Sequence, residues 1–189
     1  GVTYWTGFGD DAIFIDATHL RAIAGAQTVT SLNTGLGNDN VKITLDAGDD
    51  FFALNTQGSY DQYDAVRDAD IVTSPDTTRP LVVFGGQDDD KIDTDDIVFG
   101  DRGVLEYLDD MGTLSLRLGT GGLTDVTDGV ARAPTLFTST FTDVGGVDTI
   151  NTFTGTDIII GGQAGDVIDA GQGDNIVIGD NGQVLLATE

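Results

Sequence analysis

Cysteine is missing from this 189-residue chain, and histidine, methionine and tryptophan occur once each. Without thiols there can be no disulfide scaffold and no thiolate metal centre, so a metal would have to be held by oxygen. The lone His19 has no partners arranged as a triad and reads as structural or exposed. Glutamate is nearly absent too: 30 of the 32 acidic residues are Asp, leaving only Glu106 and Glu189. With two Lys and six Arg, the chain is poor in the residues that favour helices. Basic residues are so few that the formal net charge is −24, which repels phosphate and excludes a nucleic-acid partner. No apolar run is long enough to cross a membrane, and no charged-then-apolar leader opens the chain, so neither insertion nor targeting is expected from it.

What is abundant is Gly (27 residues), Thr (25 residues) and Asp, with 39% apolar residues, enough to bury a core. Gly and Asp favour turns and Thr favours strands. The acidic balance points toward cations.

Internal repetition is plain between Asp143 and Ile178. Cut every nine residues, the stretch reads DVGGVDTIN, TFTGTDIII, GGQAGDVID, AGQGDNIVI. The sixth column holds Asp148, Asp157, Asp166 and Asn175; the eighth holds Ile150, Ile159, Ile168 and Val177; the fourth holds Gly146, Gly155, Ala164 and Gly173. Weaker units upstream place Asp90, Asp11, Asp39 and Asp50 in the sixth column. A longer duplication overlies them: Val82–Leu105 resembles Ile159–Leu185 after a three-residue gap. The expected organisation is an irregular stretch over 1–102 with units at 6–14, 34–54 and 82–99, a hairpin-containing excursion over 103–142, and a regular array over 143–189. Beginning at Gly1 and stopping where the earlier copy enters an excursion, the sequence reads as one elongated domain cut from a longer repetitive protein.

A nonapeptide of this kind has a definite physics. Its Gly-rich half supplies a tight turn and its apolar half, such as Ile158-Ile159-Ile160, a short strand. Two cycles make one coil, and coils wind into an all-β parallel β-solenoid, a β-roll or β-helix, in which residues 18 apart stack about 4.8 Å from each other. Asp148 then sits over Asp166, and Asp157 over Asn175. Two carboxylates about 5 Å apart repel by about 0.8 kcal/mol in bulk water and about 3 kcal/mol at the effective dielectric near a protein surface. Over several coils that rivals a domain's whole stability of about 5–15 kcal/mol. A hard divalent cation between coils reverses the sign. Ca²⁺ suits the site, taking 6–8 oxygens from carboxylates and turn carbonyls, whereas Mg²⁺ demands a tighter octahedron.

The run GGQAGDVID–AGQGDNIVI resembles the hemolysin-type RTX calcium-binding nonapeptide, GGxGxDxUx, over about a third of the chain. The resemblance implies several calcium ions between the coils of a β-roll. It makes Asp148, Asp157 and Asp166 side-chain ligands, with neutral Asn175 in the same column. Gly146, Gly155 and Gly173 become turn and carbonyl providers, with Ala164 in their column. Asp11, Asp39, Asp50 and Asp90 are candidates of the weaker units. Asp101 and Asp180, each in a GD(R/N)G turn that ends a run, either cap the last ion or simply form the turn. The family also implies secretion by bacteria into calcium-rich surroundings.

Between the repeats lie excursions at Asp16–Asn33, Asn55–Pro80 and Arg102–Thr142. The last is predicted to hold a hairpin of Val104–Leu108 and Thr113–Leu118, where Leu114, Leu116 and Leu118 alternate with polar residues. Short helices are predicted over Ala17–Ala24 and Asp61–Asp68. The expected function is a non-enzymatic, calcium-folded structural module of a large extracellular or cell-surface bacterial protein, an adhesin stalk or fibre. Such a module would stack end to end through open strand edges and display its excursions to a cell surface or polysaccharide. Two alternatives remain. One is a catalytic β-helix acting on polysaccharide, a lyase or epimerase, for which Arg102, Arg117 and Arg132 are the candidate bases. The other is the calcium-binding tail of a secreted hydrolase. Tyr4 and Trp5 beside the first unit could stack on a sugar or simply pack.

Overall fold

The computed structural model describes residues 1–18, 27–46, 48–56, 68–108, 111–120, 125–127 and 129–187. The described residues form strands and turns, with no helix among them. The chain first runs through β1 (Val2–Trp5), β2 (Ala12–Ile15), β3 (Gln27–Asn33), β4 (Asn40–Ile43), β5 (Phe51–Asn55), β6 (Ile71–Thr73), β7 (Leu81–Gly86), β8 (Lys91–Asp93) and β9 (Ile97–Asp101). It then makes β10 (Gly103–Leu108), β11 (Leu114–Leu118), β12 (Val130–Ala131) and β13 (Leu136–Ser139). It resumes with β14 (Thr149–Asn151), β15 (Thr154–Gly155), β16 (Ile158–Ile160), β17 (Val167–Asp169), β18 (Gln172–Gly173), β19 (Ile176–Ile178) and β20 (Gln183–Leu185).

Two long parallel sheets share these strands. One has the order β1-β3-β5-β7-β9-β16-β19, with β12 pairing β3; the other has the order β2-β4-β6-β8-β14-β17. Successive strands alternate between the two sheets from β1 to β9, and again from β14 through β16 and β17 to β19. We call one pass through both sheets a rung. A first turn leads from the β1 sheet to the β2 sheet, and a second turn leads back.

The pairing is in register throughout. Trp5 stands beside Asn33, Asn33 beside Asn55 and Asn55 beside Phe84. Phe84 then neighbours Phe99, which neighbours Ile160, which neighbours Ile178. On the other sheet Ile150 lies between Ile92 and Ile168. Thr149 is paired with Val167 and Ile158 with Ile176, so residues 18 apart do stack in the last two rungs.

The inner strands β5 and β7 of the β1 sheet are buried on both faces, which is why Leu81-Val82-Val83-Phe84 reads as an unbroken apolar run. Phe52, Leu54 and Val83 face a core shared with Val41, Ile92 and Ile150 of the β2 sheet. Phe51, Ala53 and Phe84 face a second core. That core is closed by a four-stranded antiparallel sheet, β11-β10-β13-β20, through Leu105, Tyr107, Leu116 and Phe137. The β2 sheet has only one covered face, so Asn40–Ile43 alternates exposed and buried residues.

The predicted hairpin is present: β10 pairs antiparallel with β11, Leu105 beside Leu118 and Tyr107 beside Leu116. Other expectations change. The excursion expected over Asp16–Asn33 already contains β3, and that over Asn55–Pro80 contains β6, so the N-terminal part is more regular than its sequence. Distances between equivalent residues vary there from rung to rung, which hides the repeat from a fixed nine-residue cut. The helices predicted over 17–24 and 61–68 fall mostly on residues outside those described. The long duplication has a structural meaning. Gly100 and Gly179 follow the equivalent positions Phe99 and Ile178, after which Val104 and Val184 each enter the antiparallel sheet, on opposite sides of β13. The three-residue gap falls in the second turn, which runs Thr94–Asp96 in the earlier copy and Ala170–Asn175 in the later.

Candidate cation site along the first turn

One carboxylate per rung lies just before each strand of the β2 sheet, and together these carboxylates form a ladder. The backbone N–H of Asp11 donates to Asp39 Oδ1 at 2.8 Å, that of Asp39 to Asp70 at 2.7 Å, and that of Asp70 to Asp90 at 2.8 Å. The N–H of Asp90 donates to Asp148 at 2.9 Å and that of Asp148 to Asp166 at 3.0 Å. Every Oδ1 beyond the first rung is thereby used. Every Oδ2 of the six is buried and accepts no hydrogen bond.

In the β1 sheet, the residue one past the register row of Asn55, Phe84, Phe99 and Ile160 faces this row of carboxylates across the turn. In the later rungs it is Gly85, Gly100 and Gly161. A Cβ on Gly100 would lie 2.3 Å from Asp148 Oδ2 and 2.3 Å from Gly161 O; on Gly161, 2.4 Å from Asp166 Oδ2 and 2.3 Å from Gly179 O. On Gly85 it would lie 2.6 Å from Asp90 Oδ2 and 2.0 Å from Gly100 O. A carboxylate oxygen and a carbonyl oxygen of the next rung thus converge on the same spot, which only glycine keeps clear.

Burial of so many acids shifts their protonation. Desolvation pushes Asp148 up to about 8, helped by Asp101, and Asp70 up to about 8. It lifts Asp68 and Asp101 to about 7 and Asp96 to about 6, and holds Asp90 well above the ordinary carboxylate range. Asp39 and Asp166 are raised for the same reason. A cation would remove this penalty by favouring the charged form.

The second turn carries a shorter row. Asp96 N–H donates to Asp157 Oδ1 at 2.8 Å, and Asp157 N–H to Asn175 Oδ1 at 3.0 Å, leaving Asp157 Oδ2 buried and without a partner. Asp50 is satisfied differently, accepting both the N–H and the hydroxyl of Thr28 at 2.9 and 2.6 Å. Asp101 is a clamp. Its carboxylate accepts the N–H of Gly146 at 2.9 Å and that of Gln163, tying the chain's return from the antiparallel insertion to the next turn. Asp180 is exposed.

The fourth column supplies turn geometry. Ala164 adopts φ 79° and Asp88, in the same column, φ 80°, a left-handed backbone that Gly37 adopts without cost. Gly146 packs against the Asp88 backbone, while Gly155 and Gly173 stack in the second turn, where a Cβ on Gly173 would meet Gly155 O at 1.6 Å.

Sequence reasoning placed Asp148 with Asp166 and Asp157 with Asn175. It missed Asp70 and Asp96. Both precede an apolar pair, Ile71-Val72 and Ile97-Val98, which was the available signal; Asp68 in the Gly column and the three-residue turn before Ile97 obscured it. The candidate bases are scattered among separate roles. Arg117 pairs with Glu106, Arg102 lies over the Phe141 ring at 5.3 Å, and Arg132 donates to Val130 O. His19 lies outside the described residues. Tyr4 and Trp5 are exposed on β1.

Among the described residues no three His, Cys, Asp or Glu side chains converge on one point. The ladder offers its carboxylates singly or in pairs, and the remaining oxygens come from backbone. Compared with family models, with curated proteins and with solved structures, the chain matches none.

Proposed function

We propose that this chain is a calcium-stabilised structural module of a large secreted or cell-surface bacterial protein, an adhesin stalk or fibre, wound as a parallel β-solenoid whose rungs are the alternating strands of the two parallel sheets. The observation that carries the reading is the row of buried carboxylates. Asp90 and Asp148 are 2% and 0% exposed, and each has an unpartnered Oδ2 facing a backbone carbonyl. Leaving such a group unpaired costs several kcal/mol per ion, which a fold of ordinary stability does not sustain repeatedly.

The donor set fits the ion. It is made of hard oxygens only, carboxylate and carbonyl, as Ca²⁺ prefers. Asp90, Asp148 and Asp166 in the first turn and Asp157 in the second would hold it, beside Gly100, Gly161 and Gly179 carbonyls. When bound, calcium would supply the positive charge that lets these carboxylates stay ionised and stacked. The chain's own residues do the rest: the N–H ladder fixes each Oδ1, and the glycines keep the opposing wall open. In this reading the chain is not an enzyme, and its affinity belongs to the millimolar range of extracellular modules. The resemblance of Asp143–Ile178 to the RTX nonapeptide supports the same conclusion.

Far-UV circular dichroism of chelated protein titrated with calcium tests it. The expected result is a gain of β signal with a midpoint below several millimolar; an identical spectrum and melting temperature in EDTA and in calcium would remove the reading.

A further inference from the structure

The position that is Gly85, Gly100 and Gly161 in the later rungs is Thr6, Thr34 and Thr56 in the earlier ones, because Trp5, Asn33, Asn55, Phe84, Phe99 and Ile160 stand in one register row. The three hydroxyls all do the same thing. Thr6 Oγ1 donates to Thr34 O at 2.7 Å, Thr34 Oγ1 to Thr56 O at 2.9 Å, and Thr56 Oγ1 to Gly85 O at 2.6 Å. The carbonyl of the next rung is here taken by a hydroxyl proton; in the glycine rungs no side chain at this position can offer one, and Gly161 O accepts the backbone N–H of Asp101 at 3.2 Å. The space that glycine leaves clear is filled by the threonine side chain.

We propose that the hydroxyls of Thr6, Thr34 and Thr56 stand in for cations, so that cation binding along the first turn is confined to the three gaps that begin at Gly85, Gly100 and Gly161. The residue at this single position, Thr or Gly, selects whether a gap is closed by a proton donor or by an ion. Two observations, both set by the presence or absence of the threonine hydroxyl, separate the halves. The hydroxyl-to-carbonyl bonds run through the three threonine gaps and stop at Gly85 O. Asp90 and Asp148, both more than nine-tenths buried, aim an unpartnered Oδ2 at the open spot of the glycine gaps, whereas the equally buried Asp39 and Asp70 have the Thr34 and Thr56 hydroxyls beside their carboxylates. The physical logic is one of substitution: a hydroxyl hydrogen offers the carbonyl a neutral partner at normal distance, while a divalent ion needs several oxygens and enough room for itself. The inference rests on the calcium reading above and adds to it which gaps are used.

Calcium uptake by the whole chain, followed by isothermal titration calorimetry and native mass spectrometry, tests both layers separately. Asp148→Asn keeps the Oδ1 acceptor of the ladder and removes one charge; it is expected to lose one ion. Asp39→Asn, the same change in a threonine gap, is expected to leave the number of ions unchanged and the affinity within about twofold, against about tenfold or more for a disturbed ligand shell. Thr34→Gly is expected to gain one ion. If the wild-type chain takes up no calcium, the functional reading falls and the assignment with it. If the wild type takes up calcium but Asp39→Asn loses an ion as Asp148→Asn does, the assignment alone is overturned and the calcium reading stands. Circular dichroism of each variant confirms that the fold is kept; should Thr34→Gly not fold, the two Asn variants still decide.

Discussion

The rungs built on β1, β3 and β5 and those built on β7, β9 and β16 use one ladder of N–H to carboxylate bonds, yet they close the space beside it differently. The earlier rungs place a threonine hydroxyl there, and the later ones a bare glycine facing Asp90, Asp148 or Asp166. The threonine solution satisfies the facing carbonyl from within the chain, although Asp11, Asp39 and Asp70 keep a buried Oδ2 without a partner there. The glycine solution leaves carboxylate and carbonyl oxygens together and needs a partner from outside. The same backbone can therefore be stabilised by its own side chains in one half and made dependent on solution conditions in the other.

The comparison predicts its largest effect in hydrogen exchange. Chelation is expected to speed exchange across Ile158–Ile178 by about 100-fold, the factor matching the about 2.7 kcal/mol that one site contributes at a hundredfold excess of ion over its dissociation constant. Protection across Leu32–Ile43 should change far less. Equal loss in both halves would erase the distinction.

A second prediction concerns pH. The buried acids of the chelated fold titrate above the unfolded value of 3.8, with Asp96 at about 6, Asp101 at about 7 and Asp148 at about 8. Between about 4 and 8 the folded state therefore holds more protons than the unfolded chain, so stability is greatest at low pH and falls as pH rises through this window. Thermal melts in EDTA should show a lower melting temperature at pH 8 than at pH 5. The increment from added calcium should grow in the same direction, because ligand carboxylates must be deprotonated.

Smaller still is the effect of Thr34→Val, which keeps the shape and deletes the donor to Thr56 O. A loss of about 1–3 kcal/mol is expected in urea unfolding, of the same size with and without calcium. The smallest is Ala164→Gly. Relief of its left-handed backbone should stabilise by about 1 kcal/mol in either condition.

Which parts of this were legible in the sequence follows from where the repeat keeps its spacing. Asp148, Asp157, Asp166 and Asn175 fall at a constant interval, so their stacking could be read directly, as could the hairpin of β10 and β11 from its alternating leucines. Asp70 could not, because the rungs preceding and following it differ in length by an insertion: Asp39 and Asp70 are 31 residues apart, and Asp70 and Asp90 are 20. Stacking depends on register between neighbours in space, which tolerates insertions in the turns; a fixed cut along the chain does not. The role of Thr34 and Thr56 was illegible for a different reason. Threonine is common throughout this chain, and only pairing of strands shows that these two occupy the glycine position.

The most direct measurement is a crystal structure from calcium-containing solution with anomalous diffraction data. The account predicts anomalous peaks beside Asp90, Asp148 and Asp166, with ion-to-oxygen distances of about 2.3–2.6 Å, and none beside Thr6, Thr34 and Thr56. Well-ordered Asp148 and Asp166 carboxylates with no peak between the rungs at saturating calcium would contradict it.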